Sequence, residues 1–278
     1  GQYKNVGAIN NKGLEISLNA DVIRTSKFQW TSDFNIGFNR NRVTELYGGK
    51  PELKGLKRLE EGRDMDEWYL REWAGVAPAN GSPLWYTTDE NGKRTTTDSY
   101  NKAARVYCGS AAPKFTGGWM NSFSYKGFTL TANFDFVYGN LLYNQSRELL
   151  DSDGAYADYN SMKLKSGWKR WEKEGDIATH PKAINGGNKN SNKSSSRYLE
   201  KGNYFSLRNL SLGYSIPEKL CGKLGLQRVN VSCSADNLFT LTPFSGVSPQ
   251  LSDSSTDGYA GTIYPLSRRI VFGLNVSF

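Results

Sequence analysis

Arg269-Ile270-Val271-Phe272-Gly273-Leu274-Asn275-Val276-Ser277-Phe278 ends the chain, and its alternation decides the fold. In an extended strand successive side chains point to opposite faces. Ile270, Phe272, Leu274, Val276 and Phe278 therefore share a greasy face. Val271, Gly273, Asn275 and Ser277 share one that is small and mostly polar. Chain ends usually fray in water. A two-faced strand that runs to the last residue suits a sheet whose end is held, as in a closed transmembrane barrel.

The same pattern recurs outward from this strand. Leu14, Ile16, Leu18, Ala20 and Val22 alternate with Glu15, Ser17, Asn19 and Asp21. After a turn at residues 24–27, Trp30, Phe34, Ile36 and Phe38 alternate with Thr31, Asp33, Asn35 and Gly37. Each run covers the ~9–11 residues that a tilted strand needs to cross a bilayer. The clearest hairpin turns at Lys126-Gly127, with Phe128, Leu130, Ala132, Phe134, Phe136 and Tyr138 apolar and Thr129, Thr131, Asn133 and Asp135 polar. Tyr125 and Phe128 at the turn, with Tyr138 and Tyr143 at the other end, predict two interfacial aromatic girdles. Strands are also expected at residues 204–214 and 229–235, and weaker ones at 65–73 and 84–88. The total is about nine antiparallel strands.

Connection lengths orient this sheet. Short turns at 24–27, 75–81, 126–127 and 217–226 fall on one side, expected to be periplasmic. Longer loops at 50–66, 89–113, 139–202 and 245–262 fall on the extracellular side, the asymmetry typical of such barrels. The tract 185–196, rich in Asn, Ser and Lys, reads as flexible, and a short helix is expected within 149–171. Bacterial single-chain barrels have even strand numbers, so an odd set implies further strands upstream. The opening Gly1-Gln2-Tyr3-Lys4-Asn5 likewise reads as the middle of a longer polypeptide.

Composition agrees with this reading. Only 37% of the 278 residues are hydrophobic while aromatics reach 13%, and no run has the apolar length of a spanning helix. The net charge of +8 is scattered through Gly, Asn and Ser rather than concentrated on one element, so no nucleic-acid partner is expected. Cys108, Cys221 and Cys233 are widely spaced and His180 is the only histidine, so the sequence offers no Cys/His zinc site. A Cys221–Cys233 bridge stays open. With one histidine no Ser/His/Asp cluster is identifiable, and no enzyme activity or cofactor is expected.

Short stretches in order along the chain resemble the C-terminal third of the SusC/RagA family of TonB-linked outer-membrane transporters. They begin with Asn11-Lys12-Gly13-Leu14-Glu15 and the Ala74-Gly75-Val76-Ala77-Pro78-Ala79-Asn80-Gly81-Ser82-Pro83-Leu84-Trp85-Tyr86 segment. Ala112-Pro113-Lys114-Phe115-Thr116-Gly117-Gly118 and Ser124-Tyr125-Lys126-Gly127-Phe128 follow. Leu207-Arg208-Asn209-Leu210, Asn237-Leu238-Phe239-Thr240-Leu241-Thr242, Tyr264-Pro265 and the terminal Phe278 complete the pattern. The resemblance implies an all-β, antiparallel transmembrane barrel of about 22 strands, of which this chain supplies the last part. It also implies an upstream plug, energy from the TonB system, a SusD-like surface lipoprotein and a glycan, oligosaccharide or peptide substrate. Phe278 resembles the signal read by the barrel-assembly machinery.

On this reading outer-membrane lipid meets the greasy face. Asn19, Asn35, Asn133, Asp135, Asn230, Asp236 and Asn275 line the lumen, where they hydrate the wall, hold the plug or contact a solute. Trp68, Trp85, Tyr86, Trp168 and Trp171 are either stacking platforms for a sugar ring or peptide side chain or the cores of long loops. Trp171, followed by Gly175-Asp176 and Pro181, resembles a loop pattern of the family, and a loop-folding role is preferred for it. Asp151, Asp153 and Asp158 lack the spacing of a calcium loop. Two rival readings remain: a soluble or surface glycan-binding β-sandwich, and a structural barrel without active transport.

Overall fold

The computed structural model of the chain describes residues 7–250, 258–261 and 263–278. The opening Gly1–Asn5 and part of the 245–262 loop thus lie outside the described residues. Seven long strands follow the alternating segments: β1 (Gly7–Arg24), β2 (Phe28–Leu46), β3 (Phe115–Tyr125), β4 (Phe128–Tyr138), β5 (Tyr204–Ser215), β6 (Arg228–Leu241) and β7 (Arg269–Ser277). They pair in chain order as one antiparallel sheet. Residues directly opposite in such a sheet share a face, so the register tests the alternation. Trp30, Phe123, Leu130, Leu212, Cys233 and Phe272 stand in one row, and Leu18, Phe34, Trp119, Phe134 and Leu207 in another.

This greasy face is not the inside of a sandwich. Phe272 is 80% exposed and Leu274 70%. None of the three buried apolar clusters contains a residue of this face. Its rings pack sideways instead, Phe34 on Phe136 at 6.0 Å and Phe134 on Phe205 at 5.2 Å. Two polar groups on it are satisfied locally: Trp30 Nε1 donates to Asn121 at 3.0 Å and Trp119 Nε1 to Ser32 at 2.9 Å. Unpaired, such groups would be costly in hydrocarbon.

The expected count of nine wall strands is corrected to seven. Residues 65–88 do not cross. Glu67–Arg71 belongs to a small sheet with Glu52–Lys54, Lys57–Leu59 and Arg105–Ser110, and Pro83–Thr88 to another with Trp73–Val76 and Arg94–Thr97. At ~3.3 Å per residue these strands rise ~17–20 Å, short of the ~25 Å apolar band. Moreover Trp68, Leu70 and Trp85 are buried against loop residues rather than turned outward. The turn at 75–81 therefore moves to the long-loop end, and the loops at 50–66 and 89–113 fuse into one connection, 47–114.

The end-to-end asymmetry becomes cleaner as a result. Connections 25–27, 126–127 and 216–227 close one end, while 47–114, 139–203 and 242–268 emerge from the other. At Lys126-Gly127 both φ angles are positive, +46° and +86°, as a two-residue primed hairpin turn requires. Aromatic belts form at both ends. Phe28, Tyr125, Phe128 and Tyr214 gather at the short turns, and Phe38, Phe115 and Tyr138 at the loop end. Tyr143, expected in the second belt, is 1% exposed and belongs to the loop core.

Candidate functional site

The polar face of the wall gathers every residue expected on it. Asn35 stands opposite Gly118, and Gly118 opposite Asp135. Asn133, Asn209, Asp236 and Arg269 make a second row, and Asn230 faces Asn275. A bulge between Leu207 and Asn209, with Asn237 at φ +54°, interrupts pairing without exchanging the faces on either side. Asn35 Oδ1 accepts from the Gly118 N–H at 3.0 Å, and Asp135 accepts from the Tyr204 hydroxyl at 3.0 Å. Asp236 takes Asn209 Nδ2 at 2.7 Å and two Arg269 nitrogens at 2.9 and 2.7 Å. The surface is thus a wall of fixed amides, hydroxyls and charges, with polar groups on all seven strands, Asn19 of β1 and Ser122 of β3 included.

Above it, the three long connections fold together as a cap with a dry core. Trp68, Leu70, Ala111, Tyr143 and Tyr198 are its centre, with Tyr259 of the third loop packed against them. Trp68 Nε1 donates to the Leu141 carbonyl at 3.0 Å, tying the first loop to the second. Trp85 lies with Tyr100, Ala103 and Trp73 in a second cluster, and Phe244 and Ala260 with Leu142 in a third.

Of the five aromatic candidates, three are covered by the cap itself. Trp68 and Trp85 are 0% exposed. Trp171 is buried over Gly81, where an added Cβ would meet the indole at 2.6 Å, and its Nε1 donates to Pro78 O at 2.8 Å. Tyr86 and Trp168 are half-buried: Arg94 lies 3.7 Å over the Tyr86 ring, and Arg147 4.4 Å over that of Trp168. For Trp68, Trp85 and Trp171 the burial favours the loop-core alternative over an open stacking platform, since neighbouring residues occupy their faces.

Spacing gave no sign of the buried ion network beneath Trp168. Asp151 and Asp153 lie among three arginines and a histidine. Arg147 reaches Asp151 at 2.8 Å and Glu200 at 3.0 Å, while His180 Nε2 sits 3.0 Å from Asp151. Arg170 reaches Asp153 at 2.7 Å, and Arg197 bonds both carboxylates. Burial pushes the Asp151 carboxyl up, but the His180 hydrogen bond and the Arg197 and Arg147 charges outweigh it and hold it below its ordinary value. The Asn/Ser/Lys tract, expected to be flexible, is pinned to this network. Asn188, Ser191 and Ser195 are buried, Ser191 Oγ donates to Asp153 at 2.7 Å, and Asn188 Nδ2 reaches the Lys182 and Gly81 carbonyls. The short helix lies at Ser146–Leu150, ahead of the expected 149–171 and overlapping it by two residues. Asp158 is exposed and apart from the cluster.

Among the described residues no group of three or more His, Cys, Asp or Glu is arranged to hold a metal ion. Cys108, Cys221 and Cys233 are free thiols. Burial pushes the Cys108 thiol up to about 11, which keeps it protonated and unreactive at neutral pH.

No family model matches the sequence. Curated relatives do. TonB-dependent receptor P3 of Formosa agariphila is 28% identical over 313 residues, a match covering 100% of this chain and 29% of that receptor. TonB-dependent receptor SusC of Bacteroides thetaiotaomicron is 23% identical over 300 residues, covering 99% of the chain and 27% of SusC. Among solved structures, the RagAB peptide transporter superposes with a TM-score of 0.85 at 27% identity, covering all of this chain and 30% of that one. The RagAB peptide importer in its open-open state gives 0.79 at 25% identity. The chain spans about 30% of the length of the relatives it matches.

Proposed function

We propose, from its similarity to TonB-dependent receptors such as SusC and to the RagAB peptide transporter, that the chain is the C-terminal part of an outer-membrane importer's barrel. Its seven strands supply an arc of wall, completed by strands from an upstream portion that also carries the plug. TonB, energised across the inner membrane, rearranges the plug. Substrate then passes along the polar face bearing Asn35, Asn133, Asp135, Asn230, Asp236 and Asn275. A SusD-like lipoprotein sits over the cap, and the cargo is an oligosaccharide, glycan or peptide. The setting is the outer membrane of a Gram-negative bacterium of the Bacteroidetes, and Phe278 serves barrel assembly.

One observation carries this reading. A single antiparallel sheet separates an outward greasy face from a face of amides and charges, with all three long connections at one end. Closure of such a sheet leaves no unpaired backbone in lipid. Cells expressing the complete protein test the reading through uptake of labelled oligosaccharide and peptide pools, with and without TonB. TonB-dependent uptake of either pool supports the proposal; uptake indifferent to TonB would make the protein a passive or structural barrel.

A further inference from the structure

We propose that the outward face of the wall binds a phosphorylated lipid headgroup of the surrounding outer leaflet, in a basic cleft just beyond the loop-end aromatic belt. The inference rests on the outer-membrane reading above. β1 and β2, 18 and 19 residues long, outrun the ~9–11 that a crossing needs. Their pairing continues past Gly37, where the pairing of β2 with β3 ends. On β2 the lipid-facing positions run Phe34, Ile36, Phe38 and then Arg40 and Arg42. On β1 they run Leu18, Ile16, Leu14 and then Lys12 and Asn10. The greasy stripe turns basic one position beyond the belt in which Phe38 packs on Phe115 at 5.9 Å.

A cleft of about 790 Å³ opens at this level along the edge of β2, lined by Lys12, Arg40 and Arg42 of the outward face, by Asn39 and Asn41 of the polar face and by Lys114, with loop segments around Asp64 and Ser110 opposite. Asp64, the only carboxylate among the described lining residues, already accepts from Ser110 Oγ and the Asp66 N–H, both at 2.8 Å. The four cations are exposed, and none has an ion pair or side-chain hydrogen bond to a described residue. Lys12 stands directly opposite Arg40, a like-charge pairing that costs stability in a sheet. A phosphate relieves that repulsion, and the planar guanidinium donor fork matches its oxygens. Lipid headgroups occupy the depth just outside an aromatic belt, so the phosphate available there belongs to a lipid.

The test reconstitutes the full-length protein into phosphatidylcholine vesicles with about 10 mol% lipid A, either phosphorylated or dephosphorylated, so that headgroup charge is the only variable. Lipid retained after mild detergent extraction is counted by native mass spectrometry. At about fivefold per cation, K12Q/R40Q/R42Q/K114Q should lose retention of phosphorylated lipid A by several hundredfold, on the order of 600-fold, and the milder K12Q/R40Q by about 25-fold. K27Q, at the opposite end of the wall, should match the wild type. Heat-shifted gel mobility reports whether each variant is a folded barrel. Equal retention of the two lipids, undiminished retention by the folded variants, or equal displacement of both by inorganic phosphate would overturn the proposal alone. A wild-type protein that inserts into neither vesicle would overturn the membrane reading and this proposal with it.

Discussion

The wall and the cap are built from similar residues and held by opposite means. In the wall, large apolar side chains remain open to their surroundings, Phe272 at 80% and Ile270 at 62%, and cohesion comes from the backbone ladder and cross-strand ring contacts. In the cap, Trp68, Trp85 and Tyr198 are wholly buried, and side-chain hydrogen bonds and ion pairs join three separate loops. A wall that faces lipid needs no core of its own, because the solvent on that side is already apolar. The cap stands in water and must bury its rings as any soluble domain does. The two regions should therefore fail in different ways.

The largest effect is expected in the cap. Asp153→Ala leaves Arg170 and Arg197 facing a missing partner, and removing one member of a buried ion pair costs ~3–5 kcal/mol. Limited proteolysis of the complete protein should then cut within residues 139–203 while the barrel keeps its heat-shifted mobility. Loss of the barrel together with the cap would mean that the two are one cooperative unit.

The wall should instead discriminate between its faces. Phe272→Arg turns a cation toward lipid at a cost of up to ~2–4 kcal/mol, depending on depth, whereas Val271→Arg, one residue away on the polar face, should cost far less. Urea unfolding from lipid vesicles measures both. Equal costs would erase the distinction between the faces. A smaller change follows from packing. An added Cβ at Gly117 would lie 2.3 Å from the Asn35 carbonyl oxygen and 2.5 Å from the Phe136 ring. Gly117→Val should thus cost ~1–3 kcal/mol by overpacking and lower the yield of folded barrel. A wild-type yield would show that β2 and β3 can separate at that row.

These contrasts also explain what the sequence could reveal. Period-two alternation is a local signal, so the faces of β1, β2, β4, β6 and β7 and the turn at Lys126-Gly127 were legible. So was the common side of Asn35, Asn133, Asp135, Asn230, Asp236 and Asn275. Glu67-Trp68-Tyr69-Leu70 carries the same alternation, yet Trp68 is buried by Leu141 and Tyr143, far along the chain. The nine residues expected there, 65–73, are long enough to cross, so nothing local shows that the strand stops at Arg71. The tract around Asn188 and Ser191 reads as loose because its composition is polar, and its anchors, Asp153 and the Gly81 carbonyl, lie in distant segments. The arginines that occupy Asp151 and Asp153 are likewise invisible to spacing.

The smallest expected effect is acid sensitivity confined to the cap. The hydrogen bond from Lys169 and two backbone N–H groups lower the Asp176 carboxyl to about 2. A folded pKa below the unfolded value of about 3.8 contributes stability that is present above pH ~4 and lost as the pH falls toward about 2. Protease resistance of the cap should stay level from neutral pH to about 4 and then decline, and Asp176→Asn should lower the plateau and flatten the decline. A decline already under way at pH ~6 would point to other groups.

The facing of the wall is tested most directly by single cysteines placed at positions 269 to 277 of β7, in full-length protein whose native Cys108, Cys221 and Cys233 are replaced by serine. Each carries an environment-sensitive fluorophore, read in vesicles against a lipid-confined and a water-soluble quencher. Positions 270, 272, 274 and 276 should respond to the lipid quencher, and 271, 273 and 275 to the aqueous one. Uniform quenching along the strand, or alternation of the opposite phase, would contradict the assignment of lipid and lumen faces.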